Sequence, residues 1–266
     1  MIKADLHIHS TFSDGSVSIP EIIDMALAAG LDAIAITDHD TFSHIAQTPM
    51  QDKLKIIPGL EISAVDKRSG RHVHILGYNI KVPEIVEALT QPLLETRHRN
   101  TLRQIAVLKD HGFYIETNKL KPAGGKYLYK QHVMDYLVST GQADEMFGSF
   151  YRKIFKNNGI CHFDIPYIDA LDAVTGIKEA GGTAVLAHPG QQQNFYMIPA
   201  LVDRGLTGLE LNHPANNERD KSVIRGYAEQ YRLFLTGGSD FHGKFERPEI
   251  GIGDYLSEES GVEAIC

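Results

Sequence analysis

The stretch Ile2-Lys-Ala-Asp-Leu-His-Ile-His9 has the pattern of a short apolar strand that ends in polar residues, and a helical pattern follows it. Ser18 and Glu21 have the spacing of a helix-capping box, and Gly30 has the position of a helix stop. A strand followed by a helix is the repeating unit of α/β folds, so this stretch predicts the fold class.

The same unit recurs along the chain, since short apolar strand patterns are mostly separated by helical ones. This order predicts an α/β fold with a parallel barrel or sheet. We expect seven strands, at residues 2–8, 33–37, 55–61, 72–78, 182–187, 206–211 and 233–236.

Residues 84–170 interrupt this rhythm, because they are mainly helical and carry many basic and aromatic side chains. Residues 122–125 have the composition of a loop. We therefore expect a barrel built from residues 1–83 and 171–266. Residues 84–170 would form an inserted helical cap that selects the substrate.

The composition excludes several classes of protein. The chain has 266 residues, a formal charge of −8 and 42% hydrophobic residues, which is ordinary for a globular protein. No apolar run approaches the roughly 20 residues of a membrane span, and the N-terminal residues lack a signal-peptide pattern. Cys161 and Cys266 cannot form a disulfide framework, so a cytoplasmic location is expected. The acidic balance argues against a stable nucleic-acid partner.

The chain contains 13 histidines, and many of them end or follow a predicted strand together with carboxylates. Any one of these groups is more often structural, but the ends of parallel barrel strands meet on one face. Nine donors are too many for one ion, and imidazole with carboxylate favours Mn, Zn or Fe. The expected ligands of two or three ions are His7, His9, Asp14, His39, Glu61, His74, His188, Asp240 and His242.

The motifs around these residues resemble the PHP (polymerase and histidinol phosphatase) family of metal-dependent phosphoesterases. They occur in the family's order across nearly the whole chain. The matching pieces are His7-Ile-His-Ser-Thr-Phe-Ser-Asp-Gly15, Thr37-Asp-His-Asp40, Pro58-Gly-Leu-Glu61, His74-Ile-Leu-Gly-Tyr78, Ala187-His-Pro-Gly190 and Gly238-Ser-Asp-Phe-His242.

The resemblance implies a distorted (β/α)7 barrel and a site for three ions. His7, His9, Glu61 and Asp240 would hold the first ion, and Glu61 would bridge to the second. The other second-site ligands would be His74 and His188, and the third ion would take Asp14, His39 and His242. Many relatives have histidine where Asp14 stands. The aspartate resembles a branch of small bacterial phosphatases that act on nucleotides and other small phosphates.

The expected reaction is hydrolysis of a phosphate ester in a small metabolite, with attack by a hydroxide that bridges two ions. A nucleotide, a nucleoside bisphosphate or a cyclic phosphate would be the substrate. Asp14 is expected to act in catalysis as well as in metal binding, and His213 is a candidate proton donor. Substrate contacts are expected from Arg97, Arg99, His132 and Arg152, although basic residues on a helix more often form a solvated face.

Two other functions remain open at this point. One is a 5′-3′ exonuclease on short oligonucleotides, which predicts a basic track leading from the site. The other is a non-catalytic metal-binding module, which the complete set of nine donors disfavours.

Overall fold

The computed structural model describes residues 2–49, 51–120 and 125–266. Within these ranges seven strands follow one another in a nearly closed, barrel-shaped sheet, in the order β1-β2-β3-β4-β6-β7-β8, and a short β5 pairs with β3. The barrel and its mixed α/β class are thereby confirmed. The strands are β1 (Ala4–Ile8), β2 (Ala33–Ile36), β3 (Lys55–Val65), β4 (His72–Tyr78), β5 (Ile168–Asp169), β6 (Thr183–Leu186), β7 (Gly208–Asn212) and β8 (Phe234–Gly237).

One strand of the barrel departs from the expected parallel arrangement. β3 continues through Glu61 to Val65, and β4 returns antiparallel to it with Ser63 opposite His74. Only residues 66–71 separate the two strands, which is too short for the crossover that a parallel pair needs. β4 is also antiparallel to β6, while the other strand pairs of the sheet are parallel.

The helices pack outside the sheet, and the first one forms as the sequence predicts. Ser18 is its N-cap, the backbone N–H of Ser18 donates to Glu21, and Gly30 follows its end with a φ of +67°. The α-helices of the described residues are α1 (Ile19–Ala28), α2 (Pro83–Asp110), α3 (Lys130–Ser139), α4 (Ser149–Phe155), α5 (Ala170–Glu179), α6 (Pro189–Gln192), α7 (Ile198–Arg204), α8 (Glu218–Tyr231) and α9 (Glu259–Ile265).

Helices α2, α3 and α4 pack around an apolar cluster of their own, which includes Leu108, Leu137 and Phe155. A larger cluster lies between the barrel strands and helices α5 and α7. The expected loop at 122–125 lies outside the described residues except for its last position. The domain bounds at 84–170 stay a prediction.

Hydrogen bonds between β1 and the segment after β8 close the barrel. The N–H of Asp240 donates to the carbonyl of His7, and the N–H of His9 donates to Phe241, both at 2.9 Å. A Cβ at Gly238 would lie 2.4 Å from the backbone nitrogen of His7, so this close approach requires glycine. None of the described helices is both long and apolar enough to cross a membrane.

Candidate metal centre

Four donor atoms at the mouth of the barrel converge on one point. The Nε2 atoms of His7 and His9 lie 3.2 Å apart, and each lies 3.2–3.3 Å from Glu61 Oε2 and 3.3 Å from Asp240 Oδ1. An ion with four ligands at about 2.0–2.1 Å in a tetrahedron separates its donors by about 3.3–3.4 Å. The spacing of these side chains, three of them buried and Asp240 partly buried, therefore fits a divalent ion.

Glu61 faces two groups of donors because its two oxygens point in different directions. While Oε2 faces the first group, Oε1 lies 2.9 Å from Nε2 of His188 and 3.0 Å from Nδ1 of His74. A carboxylate in this position can bridge two ions. His74 reaches Oε1 because β4 is antiparallel, which places the start of this strand beside the end of β3.

A third group gathers around Asp14. Oδ1 of Asp14 lies 3.5 Å from Nε2 of His242 and 3.8 Å from Nδ1 of His9, while Oδ2 lies 3.9 Å from Nε2 of His39. These four residues form one set of potential ligands with all donor atoms within 4.8 Å of one another. His39 also approaches Glu61, since its Nδ1 is 3.3 Å from Oε2, the oxygen that faces the first group.

Several donor atoms of the site are buried without a partner. Among the described residues, Nδ1 of His9, Oδ1 of Asp14 and Nδ1 of His188 have no hydrogen bond. Unpaired buried polar atoms are expensive, and they are rare unless an ion or a ligand satisfies them. Together with the tetrahedral spacing, they show that the residues present fit bound metal ions.

Two of the expected ligand residues have backbone conformations that cost free energy. His188 has a φ of +27° directly after β6, and Asp240 has a φ of +52° after β8. Non-glycine residues rarely adopt such angles, and they cluster at functional sites. The strain supports a role of these positions in holding side chains at fixed points.

Sequence reasoning missed Glu210, which supports two of the expected ligands. Nδ1 of His7 donates to Oε1 of Glu210 at 2.9 Å, and the N–H of His188 donates to Oε2 at 2.8 Å. The first bond leaves the Nε2 lone pair of His7 free for an ion, as is usual for metal-binding histidines. The available signal was an acidic residue between Leu209 and Leu211, in a strand that is otherwise apolar inside.

His213 also contacts an expected metal ligand. Its side chain is fully buried, its Nδ1 accepts from the N–H of Ala215, and its Nε2 lies 3.2 Å from Oδ2 of Asp240. With Nδ1 accepting, the proton of the neutral ring is on Nε2 and points at Asp240. The His213 side chain therefore contacts Asp240, an expected metal ligand, and does not face the open cavity.

The pKa value of each titratable residue in the site depends on its charged neighbours. Burial alone raises the pKa of Glu61, but electrostatic interactions with the surrounding histidines outweigh burial and hold the pKa well below its ordinary value. Burial lowers the pKa of His7, but the negative charge of Glu210 and other carboxylates raises it well above its ordinary value, so an ion that binds at Nε2 displaces a proton there. The carboxylates are therefore ionised at neutral pH and available to cations.

A cavity of about 480 Å³ opens in front of the second and third groups. Its wall includes Arg97, whose guanidinium donates to Oδ2 of Asp40 at 3.1 Å and to Oγ of Ser63 at 3.0 Å. Gln131 also contributes, and its Nε2 donates to Asp14 at 2.7 Å. The structure thus places Arg97 at this cavity, and its role as a substrate contact stays a prediction.

The structure does not bring the other expected substrate contacts to this cavity. The Arg99 side chain is 65% exposed and lies 4.0 Å from Glu95, and Arg152 is exposed and donates to the carbonyl of Phe147. His132 is partly buried, accepts from the N–H of Tyr129, and lines a neighbouring pocket. Their roles as substrate contacts stay predictions.

Comparison with known proteins gives one family and several full-length relatives. Residues 5–141, about half of the chain, match the PHP domain. A phosphoribosyl 1,2-cyclic phosphate 1,2-diphosphodiesterase of Eggerthella lenta is 41% identical over 256 residues, which cover 93% of this chain and 97% of the relative. A 3′,5′-nucleoside bisphosphate phosphatase of Chromobacterium violaceum is 29% identical, with 92% and 89% covered. The 5′-3′ exoribonuclease Rnm of Escherichia coli is 28% identical, with 98% and 92% covered.

Two solved structures resemble this one over almost their whole length. A Bifidobacterium adolescentis protein described as a metal-dependent phosphoesterase has a TM-score of 0.88 and 27% identity, with 98% of this chain and 94% of that chain covered. An amidohydrolase from Chromobacterium violaceum has a TM-score of 0.77 and 26% identity, with 95% and 90% covered. The expected metal dependence agrees with the description of the first of these neighbours.

Proposed function

Because this chain belongs to the PHP domain family, we propose that its converging histidines and carboxylates hydrolyse a phosphate ester of a small phosphorylated metabolite. The protein is a metal-dependent phosphoesterase, since its curated relatives include a phosphodiesterase and a phosphatase and a structural neighbour is a phosphoesterase. The ions, the residue roles and the substrate are our proposals.

We propose that the three groups of donors hold two or three divalent ions, of manganese, zinc or iron. Imidazole and carboxylate ligands suit these metals better than magnesium or calcium. Bound ions of this kind supply an activated water and neutralise phosphoryl oxygens. The observation that carries this proposal is the set of four atoms, from His7, His9, Glu61 and Asp240, at the spacing of a tetrahedral site.

The protein's own residues would orient the substrate and the ligands. Arg97 is fixed by Asp40 and Ser63, and its buried Nε has no partner among the described residues, so this edge can donate to a phosphate oxygen. Gln131 holds one oxygen of Asp14, which leaves the other for a cation. His213 would act as a positioning residue that holds Asp240.

The relatives suggest the class of substrate. The relative from Eggerthella lenta is named for a sugar cyclic phosphate, and one from Chromobacterium violaceum for a nucleoside bisphosphate. We propose a substrate of one of these two kinds. The exoribonuclease relatives favour a second candidate, removal of nucleotides from short oligonucleotides, at lower sequence identity.

Substitution of the ligands tests the proposal. Asp240→Ala and His188→Ala should abolish hydrolysis of an aryl phosphate and lower the bound metal per chain. His111→Ala, an exposed histidine at the end of α2, is the matched control and should retain both. Full activity of either ligand variant would contradict the site assignment.

A substrate screen distinguishes the two candidates. Nucleoside monophosphates, nucleoside bisphosphates, cyclic sugar phosphates and short 5′-phosphorylated oligonucleotides should be compared by kcat/KM. We expect the cyclic phosphates or the bisphosphates to be the best substrates. A higher kcat/KM for oligonucleotides, rising with their length, would support the exonuclease instead.

A further inference from the structure

A second cavity adjoins the one in front of the metal centre. It has a volume of about 470 Å³ and lies between the β3–β4 turn, helix α2 and the segment that follows α4. Both cavities are lined by His72, Arg97, Lys130 and Tyr167. A ligand of metabolite size can therefore extend from the metal centre into this second cavity.

The second cavity is strongly basic, although the chain is acidic overall. Four cationic side chains line it, from Lys67, Arg97, Lys130 and Lys156, against one carboxylate residue, Asp164. Within the described ranges, no carboxylate lies within 4.0 Å of the three lysine nitrogens. These lysines can therefore pair with a ligand rather than with the protein.

The contacts of the lysines also leave hydrogen-bond donors free. Nζ of Lys67 donates to the carbonyl of Tyr167 at 2.8 Å, and Nζ of Lys130 donates to the hydroxyl of Tyr151 at 3.2 Å. An ammonium group has three donors, so each lysine retains two for an anion. Burial, followed by repulsion from Lys156 and Arg97, lowers the pKa of Lys130 to about 7. An anion in the cavity would relieve this repulsion.

The chemistry of the lining separates this cavity from the reacting centre. None of the four sets of potential metal ligands among the described residues includes a residue that lines it, and its cations match an anion that is bound but not cleaved. The names of two relatives, a phosphoribosyl cyclic phosphate enzyme and a nucleoside bisphosphate phosphatase, both describe molecules with two phosphate groups. We propose that Lys130 and Lys156 bind the second, non-reacting phosphate of the substrate, an inference that rests on the proposed phosphoesterase function.

Paired substrates test this proposal in the metal-loaded enzyme. Adenosine 3′,5′-bisphosphate is compared with adenosine 3′-monophosphate, and phosphoribosyl 1,2-cyclic phosphate with ribose 1,2-cyclic phosphate. The wild type should prefer the member with two phosphates at least tenfold in kcat/KM. In Lys130→Met and Lys156→Met this preference should fall at least tenfold, mainly through KM. Lys153→Met, an exposed lysine of α4 that does not line the cavity, should retain it.

A binding measurement gives a readout that does not depend on turnover. In the full chain after metal removal, calorimetry should show at least tenfold weaker binding of adenosine 3′,5′-bisphosphate to Lys130→Met than to Lys153→Met. A substrate preference within twofold of the wild type in Lys130→Met and Lys156→Met, with unchanged binding, would overturn the second-phosphate proposal alone. Absence of hydrolysis of every phosphate ester by the wild type would overturn the proposed function, while the binding result would still decide the role of the cavity.

Discussion

Glu210 illustrates how much of a metal centre depends on residues that do not touch the ion. Its carboxylate accepts from both His7 and His188, so it fixes the ring of one expected ligand and the backbone of another. An amide at this position offers one acceptor in place of two, so one of the two donors must lose its bond.

We therefore expect Glu210→Gln to weaken metal binding about 10–100-fold. The measurement is competition for zinc or manganese with a chromophoric chelator. Glu218→Gln is the matched control, because this glutamate is 90% exposed and its substitution changes the charge equally. Equal affinities of the two variants would show that Glu210 does not support the ligands.

Lys130 is a residue whose charge destabilises the folded protein. Its pKa falls from an ordinary 10.5 to about 7, first because it is buried and then because Lys156 and Arg97 are near. The unfolded chain keeps this proton up to about pH 10.5. The charge of Lys130 therefore lowers the free energy of unfolding by its full amount below pH 7, and this loss disappears as the pH rises toward 10.5.

Lys130→Met should accordingly stabilise the protein in the absence of substrate. One pKa unit corresponds to about 1.4 kcal/mol, and solvent near the cavity mouth reduces the effect, so we expect a gain of about 1–2 kcal/mol at pH 6.5. The gain should shrink steadily toward pH 10 in urea unfolding experiments. A constant difference across this pH range would contradict the charge-based explanation.

At the scale of residues, the candidate metal ligands could be named from the sequence, and the residues that support them could not. Nine donors could be named because histidine and carboxylate recur where strands end, and the structure brings all nine together in the three groups. Glu210 and the lysines of the second cavity gave weaker signals. Their roles depend on which residues are neighbours in space, and an isolated glutamate or lysine is ordinary on a protein surface.

At the scale of elements, the closure of the barrel depends on a close backbone contact at one glycine. Gly238 lies where the segment after β8 passes against His7, and an added Cβ would meet backbone atoms that cannot move without shifting β1. This contact couples the closure of the sheet to the position of two expected metal ligands, His7 and Asp240.

Gly238→Ala should therefore destabilise the metal-free protein by about 1–3 kcal/mol and also reduce metal affinity. Gly226→Ala is the matched control, since a Cβ there meets nothing within 4 Å inside helix α8. That variant should gain up to about 1 kcal/mol from helix propensity. Urea unfolding in the presence of a chelator measures the stability of both variants. An unchanged free energy of unfolding in Gly238→Ala would mean that the closure of the barrel tolerates displacement of the backbone.

The direction of β4 is the main feature of the fold that the sequence predicted incorrectly. The polar Glu61 is typical of a strand end, but β3 continues to Val65, and the six residues after Val65 form the turn of a hairpin. The positions of the seven barrel strands are local properties, and the sequence predicted them to within two residues, except for the end of β3. Direction depends on the connection, whose length alone was the decisive signal.

For the whole molecule, bound metal should contribute directly to stability. An ion that binds only the folded chain at 100 times its dissociation constant adds about 2.7 kcal/mol. We expect a chelator to lower the Tm by about 5–10 °C and added manganese or zinc to restore it. In Asp240→Ala the metal-dependent rise should be much smaller. An unchanged Tm of the wild type on chelation would contradict a metal centre within the fold.

The closure of the barrel also determines when the enzyme can acquire its ions. The hydrogen bond from Ser239 to Asp5 joins residues 234 positions apart, and ligands flank both of its ends. Contacts of such long range form late in folding, because the intervening chain must first be ordered. On the ribosome, the first four-donor site would remain incomplete until Asp240 had been synthesised and had left the exit tunnel. Metal capture at this site would thus follow the synthesis of residue 240, and a shortened or stalled nascent chain would present an incomplete set of donors.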